Sequence, residues 1–455
     1  MLLALPEIVA RLHTSISHVI WVIVVYNLSL IAGSIAVRLT PRRPAVEPLL
    51  VAGLLLFGTA SLASGLAGDL TTLLIARGFQ GIGGAVLLCA SLPPMARGST
   101  ASDSSPLRTW SAAAAIGAAI GPAAGGVLTQ VFDWRAIFLA QAPVAAAAAI
   151  AVWLTARNER EHPQFTDPIP QDTRTEGTAL AGSTAGAIRA NLALGLLSAG
   201  LIGALFLSTL LLINVWGLAP IAAAAVLLVL PLMTAATGRA GRVLNPTVAA
   251  GGGAIAVAAG VAILALTTNR SVIVCVVALA LSGTGLGVAF SALTEEALST
   301  GQTMLGRVAN TIASRDLGLV VGLLALTPLF VSQINDVQSK AEPPLVTATL
   351  ASGMPAAVDL ELAAALQKAV NAAPQSQLPD IKPAFARLET AHPSSAARLR
   401  ALQPKAESII RSAATKAFHS SLLGTAGFAL LALIVAVVPL HRRPGQPRGP
   451  SPTPA

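Results

Sequence analysis

Eleven long apolar runs constrain this sequence more than any other feature. A transmembrane helix needs roughly 20 mostly apolar residues to cross about 30 Å of hydrocarbon, and each run meets that length. Open strands at these places would leave unpaired backbone groups in hydrocarbon, so helices are the expected structure. The sequence therefore predicts an all-α integral membrane protein. The runs lie near 17–38, 47–67, 71–96, 109–130, 134–155, 191–213, 217–236, 246–267, 271–293, 307–331 and 418–440.

Composition excludes a soluble globular protein. Only 11% of the 455 residues are charged and 54% are hydrophobic, whereas about a quarter of the residues of an ordinary soluble domain are charged. The two cysteines, Cys89 and Cys275, lie in apolar runs, which argues against a disulfide framework. The histidines are scattered, and neither paired catalytic carboxylates nor metal-ligand spacing occurs. We therefore expect no enzyme activity, no cofactor and no metal site.

The arginines indicate which side of the membrane each joint occupies. If the joint at 38–46 is cytoplasmic and the joints then alternate, only Arg11, Arg135 and Arg270 fall in short segments on the opposite side. This is the positive-inside asymmetry of membrane proteins. It accounts for the net charge of +9 without nucleic acid as a partner, since no basic stripe with interleaved aromatics is present. The cytoplasmic arginines include Arg38, Arg42, Arg43, Arg97, Arg108, Arg157, Arg160, Arg239, Arg242, Arg307, Arg442 and Arg443.

Two polar segments interrupt the apolar runs and divide the chain. The first separates two halves, and its composition is that of a flexible linker. The second precedes the last apolar run, and the final residues have the composition of a disordered tail. The predicted parts are an N-terminal transmembrane bundle at 1–155, a cytoplasmic linker at 156–190, a C-terminal transmembrane bundle at 191–331, an extracytoplasmic helical insertion at 332–417, a last transmembrane helix at 418–440 and a disordered cytoplasmic tail at 441–455.

The insertion at 332–417 holds all five lysines of the chain. Long external segments escape the positive-inside rule, so these lysines do not contradict the predicted topology. Stretches within the insertion have helical periodicity with mixed charge. Three interpretations stay open: a small helical cap, amphipathic helices on the bilayer surface, or a solvated spacer.

Several short motifs follow one another in a fixed order along the chain. In order and spacing they resemble the motifs of the major facilitator superfamily, particularly its drug:proton antiporter branch. The motifs are Ala4-Leu5-Pro6; Trp21 with Tyr26; Arg77-Gly78-Phe79-Gln80-Gly81-Ile82-Gly83-Gly84; Gly117 to Gly126 with Gly121, Pro122 and Gly125; Asp133-Trp134-Arg135 with Phe138 and Pro143; and Arg315 with Leu317-Gly318 and Gly322.

The resemblance implies a two-bundle helical transporter with about 11 complete transmembrane helices and a stub of the first. In that fold the substrate binds near the bilayer midplane between the halves, and access alternates by rocking. The resemblance also assigns residues to three groups. These are the helix-four motif of Arg77, Gln80, Gly81 and Gly83; an antiporter-motif hinge of Gly117, Gly121, Pro122, Gly125 and Gly126; and the cavity candidates Tyr26, Asn27 and Gln80.

Two of these motifs also have a purely structural interpretation. Gly117, Gly121 and Gly125 are four residues apart and form one smooth helical face, which suits either close helix packing or a hinge. Arg77 lies well inside its run, where a buried guanidinium costs roughly 2.5 kcal/mol or more. Arg77 is therefore either a functional group that influences proton transfer or an arginine satisfied by backbone carbonyls of a neighbouring helix.

Asp316 is the most informative acidic residue, because it lies well inside the run at 307–331. A carboxyl group in a low-dielectric environment can take up and release a proton near neutral pH, as a proton-coupled carrier requires. We therefore take Asp316, Arg77 and Arg315 as the proton-coupling candidates. The alternative for Asp316 is an interhelical ion pair. Glu295 and Glu296 close the preceding run, where solvated end residues are the more frequent interpretation.

The sequence departs from the family pattern at three places. Met1 begins where the first helix of the family is ending, and Val37 and Thr40 replace the aspartate and a glycine of the loop after helix two. The corresponding loop of the second half, 238–242, also lacks an acidic residue. These departures argue against the conformational latch that the family resemblance attributes to that loop. They also favour a second hypothesis, a transport-degenerate membrane scaffold acting through its extracytoplasmic insertion.

The favoured hypothesis is a secondary carrier that exports a lipophilic or amphipathic small molecule in exchange for protons. Its expected partners are the lipid bilayer, the substrate and protons, and we expect a monomer in the cell membrane. Aromatic residues make up only 4% of the chain, which argues against a sugar site built on stacked rings.

The predicted topology can be tested with reporter fusions. Alkaline phosphatase, which is active only outside the cytoplasm, is expected to be inactive when fused within 156–188 and active when fused within 332–417. Fluorescent protein fusions at the same two places should give the opposite pattern. An active phosphatase in the 156–188 segment would overturn the assignment of sides.

Overall fold

The computed structural model describes residues 1–39, 46–95, 105–161, 184–267, 271–298, 304–350, 353–372 and 380–437. Every regular element in these residues is helical. The tail at 441–455 and most of the linker at 156–190 lie outside the described residues. The helices are α1 Leu5–Arg11, α2 Ile16–Val19, α3 Trp21–Leu39, α4 Val46–Leu66, α5 Leu70–Met95, α6 Ser105–Val131, α7 Ala136–Leu139, α8 Gln141–Glu161, α9 Thr184–Leu210, α10 Pro220–Val243, α11 Pro246–Leu266, α12 Val272–Ala297, α13 Met304–Leu350, α14 Ala356–Ala372, α15 Lys382–Ala391 and α16 Ala396–Val437.

Ten helical segments in the described residues are long and apolar enough to cross a membrane. They coincide with ten of the eleven apolar runs, and α6 forms a helix over the remaining run at 109–130. A π-helical turn, Leu211–Val215, extends α9. The predicted all-α membrane fold is confirmed.

The membrane helices pack as two groups. In the first group α3 and α4 pack against α5, and α4 also contacts α8. In the second group α9 packs on α13 and α16, and α12 packs on α10 and α11. The two most extensive contacts between the groups are those of α3 with α13 and of α6 with α10. These two pairs are called the α3–α13 seam and the α6–α10 seam below.

Glycine allows the closest helix contact in the second group. A Cβ atom added to Gly318 of α13 would overlap the backbone of Gly195 on α9, including its carbonyl oxygen. Because backbone atoms cannot rotate away as a side chain does, only glycine fits there. The small-residue contact between α9 and α13 follows the general rule for helices that pack in lipid.

Two membrane helices continue far into the insertion. The α13 helix has 47 residues, about 70 Å at 1.5 Å per residue, and α16 has 42 residues. From hydropathy, the first of these helices was predicted to end at 331 and the second to begin at 418. The backbone hydrogen bonds of a helix do not require apolar side chains, so a helix can continue where the apolar run stops.

The insertion has a hydrophobic core of its own. The core joins α14 and α15 to the first part of α16, and its largest fully buried side chain is Phe385. This packing agrees with the small helical cap rather than with a solvated spacer. The core residues are Met354, Val358, Leu362, Leu366, Ile381, Phe385, Leu388, Leu399, Leu402, Ala406 and Ile410.

The Gly318–Gly195 contact predicts opposite effects for two glycine-to-alanine substitutions. Gly318→Ala introduces an overlap with backbone and should lower the free energy of unfolding by about 2 kcal/mol. Gly427→Ala in α16 meets no atom within 4 Å and should be neutral or stabilising by about 0.5–1 kcal/mol, because alanine is the better helix former. Thermal unfolding in detergent measures both, and equal midpoints for the two variants would contradict the close approach.

Candidate functional site

Arg77 lies at the centre of a buried polar cluster in the first group of helices. It belongs to α5, and only 7% of it is exposed. Its Nε donates a hydrogen bond to the carbonyl oxygen of Val22 on α3, at 3.0 Å. Its guanidinium carbon lies 4.1 Å from the centroid of the Tyr26 ring and 5.6 Å from that of Phe138. No carboxylate of the described residues forms an ion pair with Arg77. Neutral groups and ring faces therefore stabilise this cation.

Hydrogen bonds between side chains continue from Arg77 into the neighbouring helices. One terminal nitrogen of Arg77 donates to Oε1 of Gln80. The Gln80 amide nitrogen donates to Oγ of Ser61 on α4 at 2.6 Å and to Oε1 of Gln141 on α8 at 2.9 Å. The cluster of Arg77, Gln80, Ser61 and Gln141 is called the Arg77 network below. It connects α4, α5 and α8 at one point inside the bundle.

Ser61 and Gln141 were not among the site residues predicted from the sequence. A serine in an Ala- and Gly-rich run normally bonds to the carbonyl one turn back, and Ser61 does so with Phe57 at 2.8 Å. Its second role as an acceptor depends on which helix lies opposite. A glutamine in an otherwise apolar run is rarer, and Gln141 near the start of α8 was the available signal.

The glycines of the helix-four motif bring α3 and α4 close to α5. A Cβ atom on Gly81 would overlap the carbonyl oxygen of Tyr26, and one on Gly83 would lie 2.8 Å from the backbone nitrogen of Phe57. This close approach places the Tyr26 ring against Arg77. Arg77 and Gln80 of the helix-four motif are therefore in contact with each other, and Arg77 also contacts the cavity candidate Tyr26.

The remaining cavity candidate, Asn27, has a different environment. It is 5% exposed, and its amide nitrogen donates to the carbonyl oxygen of Ile23 in its own helix at 2.8 Å. That bond is of the kind that polar side chains within helices often make with the preceding turn. The structure gives Asn27 no contact with the Arg77 network.

Asp316 and Arg315 lie on α13, across the α3–α13 seam from Tyr26. Arg315 turns towards α12, with its guanidinium carbon 5.2 Å from the centroid of the Phe290 ring. Asp316 forms neither a hydrogen bond nor an ion pair with the described residues, so the structure offers no partner for the predicted interhelical ion pair. Tyr26 is close enough to interact electrostatically with both Arg77 and Asp316. Of the two neighbouring glutamates, Glu296 pairs with Arg189 of α9.

The antiporter motif on α6 contacts the other half at one end only. A Cβ atom on Gly126 would meet Cβ of Ala224 and the carbonyl oxygen of Pro220 on α10, the latter at 3.0 Å. Gly117 and Gly121 have no atom within 4 Å at the position of a Cβ. Pro122 lies inside the helix between these two regions, and Gly125 has only two atoms within 4 Å, at 3.7 and 4.0 Å. Within the described residues, the face of Gly117, Gly121 and Gly125 that was predicted to pack closely therefore makes no close contact, and the close contact with α10 is made by the adjacent Gly126.

A hydrogen bond crosses each seam. On the α6–α10 seam, Oε1 of Gln130 accepts from the backbone nitrogen of Ile221 at 3.0 Å. Ile221 lies in the first turn of α10, whose backbone N–H groups have no partner within the helix. On the α3–α13 seam, Arg38 donates to Oδ1 of Asn310 at 2.6 Å.

An apolar cluster lies beside the Arg38–Asn310 bond. Leu30, Ala85 and Cys89 from the first group meet three residues of α13 there, namely Val308, Ala309 and Ile312. The end of α3 is thus tied to α13 although Val37 replaces the aspartate of the family motif. The side chain that ties it is an arginine, not a carboxylate.

Comparison with known proteins identifies a family over most of the chain. The family model for the Major Facilitator Superfamily matches residues 1–312. The lincomycin resistance protein of Streptomyces lincolnensis is 33% identical over 162 residues, which are 34% of this chain and 33% of that protein. The puromycin resistance protein pur8 of Streptomyces alboniger is 34% identical over 171 residues, 35% of this chain and 32% of that protein. The matched stretches thus span about a third of these relatives.

Solved structures resemble the fold over a larger part. A bacterial homologue of the human lysosomal transporter Spinster, in an inward-facing and unoccupied conformation, has a TM-score of 0.62 at 15% identity and covers 96% of this chain and 93% of its own. The D-xylose–proton symporter has a TM-score of 0.52 at 14% identity, covering 67% of this chain and 78% of its own. At this identity the likeness concerns the fold alone.

Two helix groups joined by two seams, a polar cluster on the helix-four motif and the match over residues 1–312 lead to one conclusion. The chain belongs to the Major Facilitator Superfamily, a family of membrane transporters.

Proposed function

We propose that this protein exports a lipophilic or amphipathic small molecule from the cell in exchange for protons. The observation that carries the proposal is the position of Asp316, a carboxyl group deep in α13 that faces the Tyr26 side of the seam and has no ion-pair partner in the described residues. A carboxyl group in such a place costs stability in a bilayer, and function is the default explanation for it.

Proton coupling follows from the surroundings of Asp316. A group that must bind and release protons cannot be locked into a permanent ion pair, since the partner would hold it in the charged state. Asp316 meets that requirement within the described residues, and Tyr26 lies close enough to interact electrostatically with both Asp316 and Arg77. We assign the proton-binding step to Asp316, with Arg77 and Arg315 as the neighbouring cations that set its electrostatic environment.

Alternating access follows from the two seam bonds. With the topology inferred from the arginines, the Arg38–Asn310 bond lies at the cytoplasmic end and the Gln130–Ile221 bond at the extracytoplasmic end. If the two halves rock about a central site, each bond breaks when its own side opens. Gly117 and Gly121 have free space beside them, which leaves α6 room to move against α10.

The nature of the substrate is inferred from the relatives. Their names refer to resistance to lincomycin, puromycin and, in Salmonella typhimurium, methyl viologen. These names favour transport over the scaffold hypothesis. We assign the protein to the cell membrane as a monomer, with the 156–190 linker and the C-terminus cytoplasmic and the insertion extracytoplasmic.

Substitution of Asp316 tests the coupling. In inverted vesicles with an imposed pH gradient, lincomycin or puromycin added to the wild-type protein should dissipate part of the gradient as protons leave in exchange. Asp316→Asn removes the titratable group with little change of shape, so we expect loss of substrate-dependent proton release. A pH-sensitive dye in the vesicle lumen measures the release.

Glu295→Gln is the matched control for this experiment. Glu295 is an exposed carboxyl group at the end of α12, so its loss should leave substrate-dependent proton release at the wild-type rate. Wild-type proton release in Asp316→Asn, or its loss in Glu295→Gln alone, would remove Asp316 from the mechanism.

A further inference from the structure

The hydrogen bonds of the Arg77 network have only one consistent direction. The Ser61 hydroxyl donates to the carbonyl oxygen of Phe57 at 2.8 Å, so its oxygen is left as an acceptor. The Gln141 amide nitrogen donates to the carbonyl oxygen of Ile137 at 3.0 Å, so Oε1 of Gln141 is left as an acceptor as well. Both side chains therefore present acceptors to Gln80.

These two acceptors determine which way the Gln80 amide points. A glutamine amide can be placed with its oxygen and nitrogen exchanged, and only its partners decide between the two placements. If Gln80 were reversed, its oxygen would face the Oε1 of Gln141 and its nitrogen would face the Arg77 guanidinium. Both contacts would be repulsive. Gln80 must therefore present Oε1 to Arg77.

The orientation of Gln80 in turn holds Arg77 in place. The guanidinium is fixed on one side by the Val22 carbonyl oxygen and on the other by Oε1 of Gln80. Between these two acceptors it lies over the Tyr26 ring, 4.1 Å from the centroid. Without a defined acceptor at Gln80, the Val22 carbonyl oxygen would be the one hydrogen-bond acceptor in the described residues left to hold the cation over that ring.

We propose that Ser61 and Gln141 are positioning residues, which orient Gln80 and thereby hold the Arg77 guanidinium over the Tyr26 ring. Neither residue belongs to the motifs of the sequence. The placement rests on the hydrogen bonds alone. Its effect on proton coupling rests on the proposed function.

The single tyrosine of the chain makes the placement measurable. Protein labelled with ¹³C-tyrosine gives ring signals from Tyr26 only, and their chemical shifts depend on the cation over the ring. Arg77→Ala defines the shift without the cation. We expect Ser61→Ala and Gln141→Leu, each examined as folded protein in detergent, to move the Tyr26 signals from the wild-type position towards that of Arg77→Ala.

Two further variants separate positioning from a general loss of packing. Thr59→Ala removes a hydroxyl from α4, two residues from Ser61, where Thr59 donates only to carbonyl oxygens of its own helix. Its Tyr26 signals should stay at the wild-type position. Gln141→Glu keeps an acceptor oxygen for Gln80, so its signals should lie nearer to wild type than those of Gln141→Leu.

Wild-type shifts in both Ser61→Ala and Gln141→Leu would overturn the proposal, and so would an equal shift in Thr59→Ala. The pH dependence of transport is the second readout, and it should change in Ser61→Ala and Gln141→Leu but not in Thr59→Ala. The two proposals fail separately. A wild-type protein that exchanges no protons for lincomycin or puromycin contradicts the function, while the order of the Tyr26 shifts still decides the positioning.

Discussion

The stabilisation of one buried cation, Arg77, connects most features of the first half of this protein. A guanidinium at the centre of a membrane helix costs roughly 2.5–3.5 kcal/mol, and this one has no carboxylate partner in the described residues. Its stabilisation comes from a carbonyl of α3, an amide of α5 and two aromatic faces. The glycines beside it allow the helices to approach closely enough for these contacts. The stabilisation of the cation and the close packing of the four helices around it therefore depend on each other.

The second half places a charge of the opposite sign across the seam. Asp316 on α13 lies across the α3–α13 seam from Tyr26, close enough to interact with it electrostatically, and each of the two seams is crossed by a hydrogen bond. The Arg38–Asn310 bond joins two side chains and the Gln130–Ile221 bond joins a side chain to a backbone N–H, while helix packing holds each half together. A structure with strong packing inside each half and few polar contacts between halves is suited to motion of the halves as units.

The sequence predicted the parts of this architecture that follow from local composition. Hydropathy identified the membrane helices, the helix-four motif indicated Arg77 and Gln80, and the resemblance of the helix-two region indicated Tyr26. It did not predict Ser61 and Gln141 as partners, because a hydrogen bond between helices depends on which faces meet. It also predicted that one helix ends at 331 and that the last helix begins at 418. These are the limits of the apolar runs, and the helical backbone continues beyond both. The Arg38–Asn310 bond was not predicted either, because it also depends on which helix lies opposite the end of α3.

Distances between spin labels across the two seams test the central claim, that the halves open alternately at their two ends. One pair, at Leu39 and Ala313, spans the α3–α13 seam, and a second pair, at Val131 and Ala219, spans the α6–α10 seam. In lipid nanodiscs, lincomycin or puromycin and changes of pH should lengthen one distance whenever they shorten the other, as measured by double electron–electron resonance. Distances that stay fixed, or that lengthen together at both seams, would contradict the account.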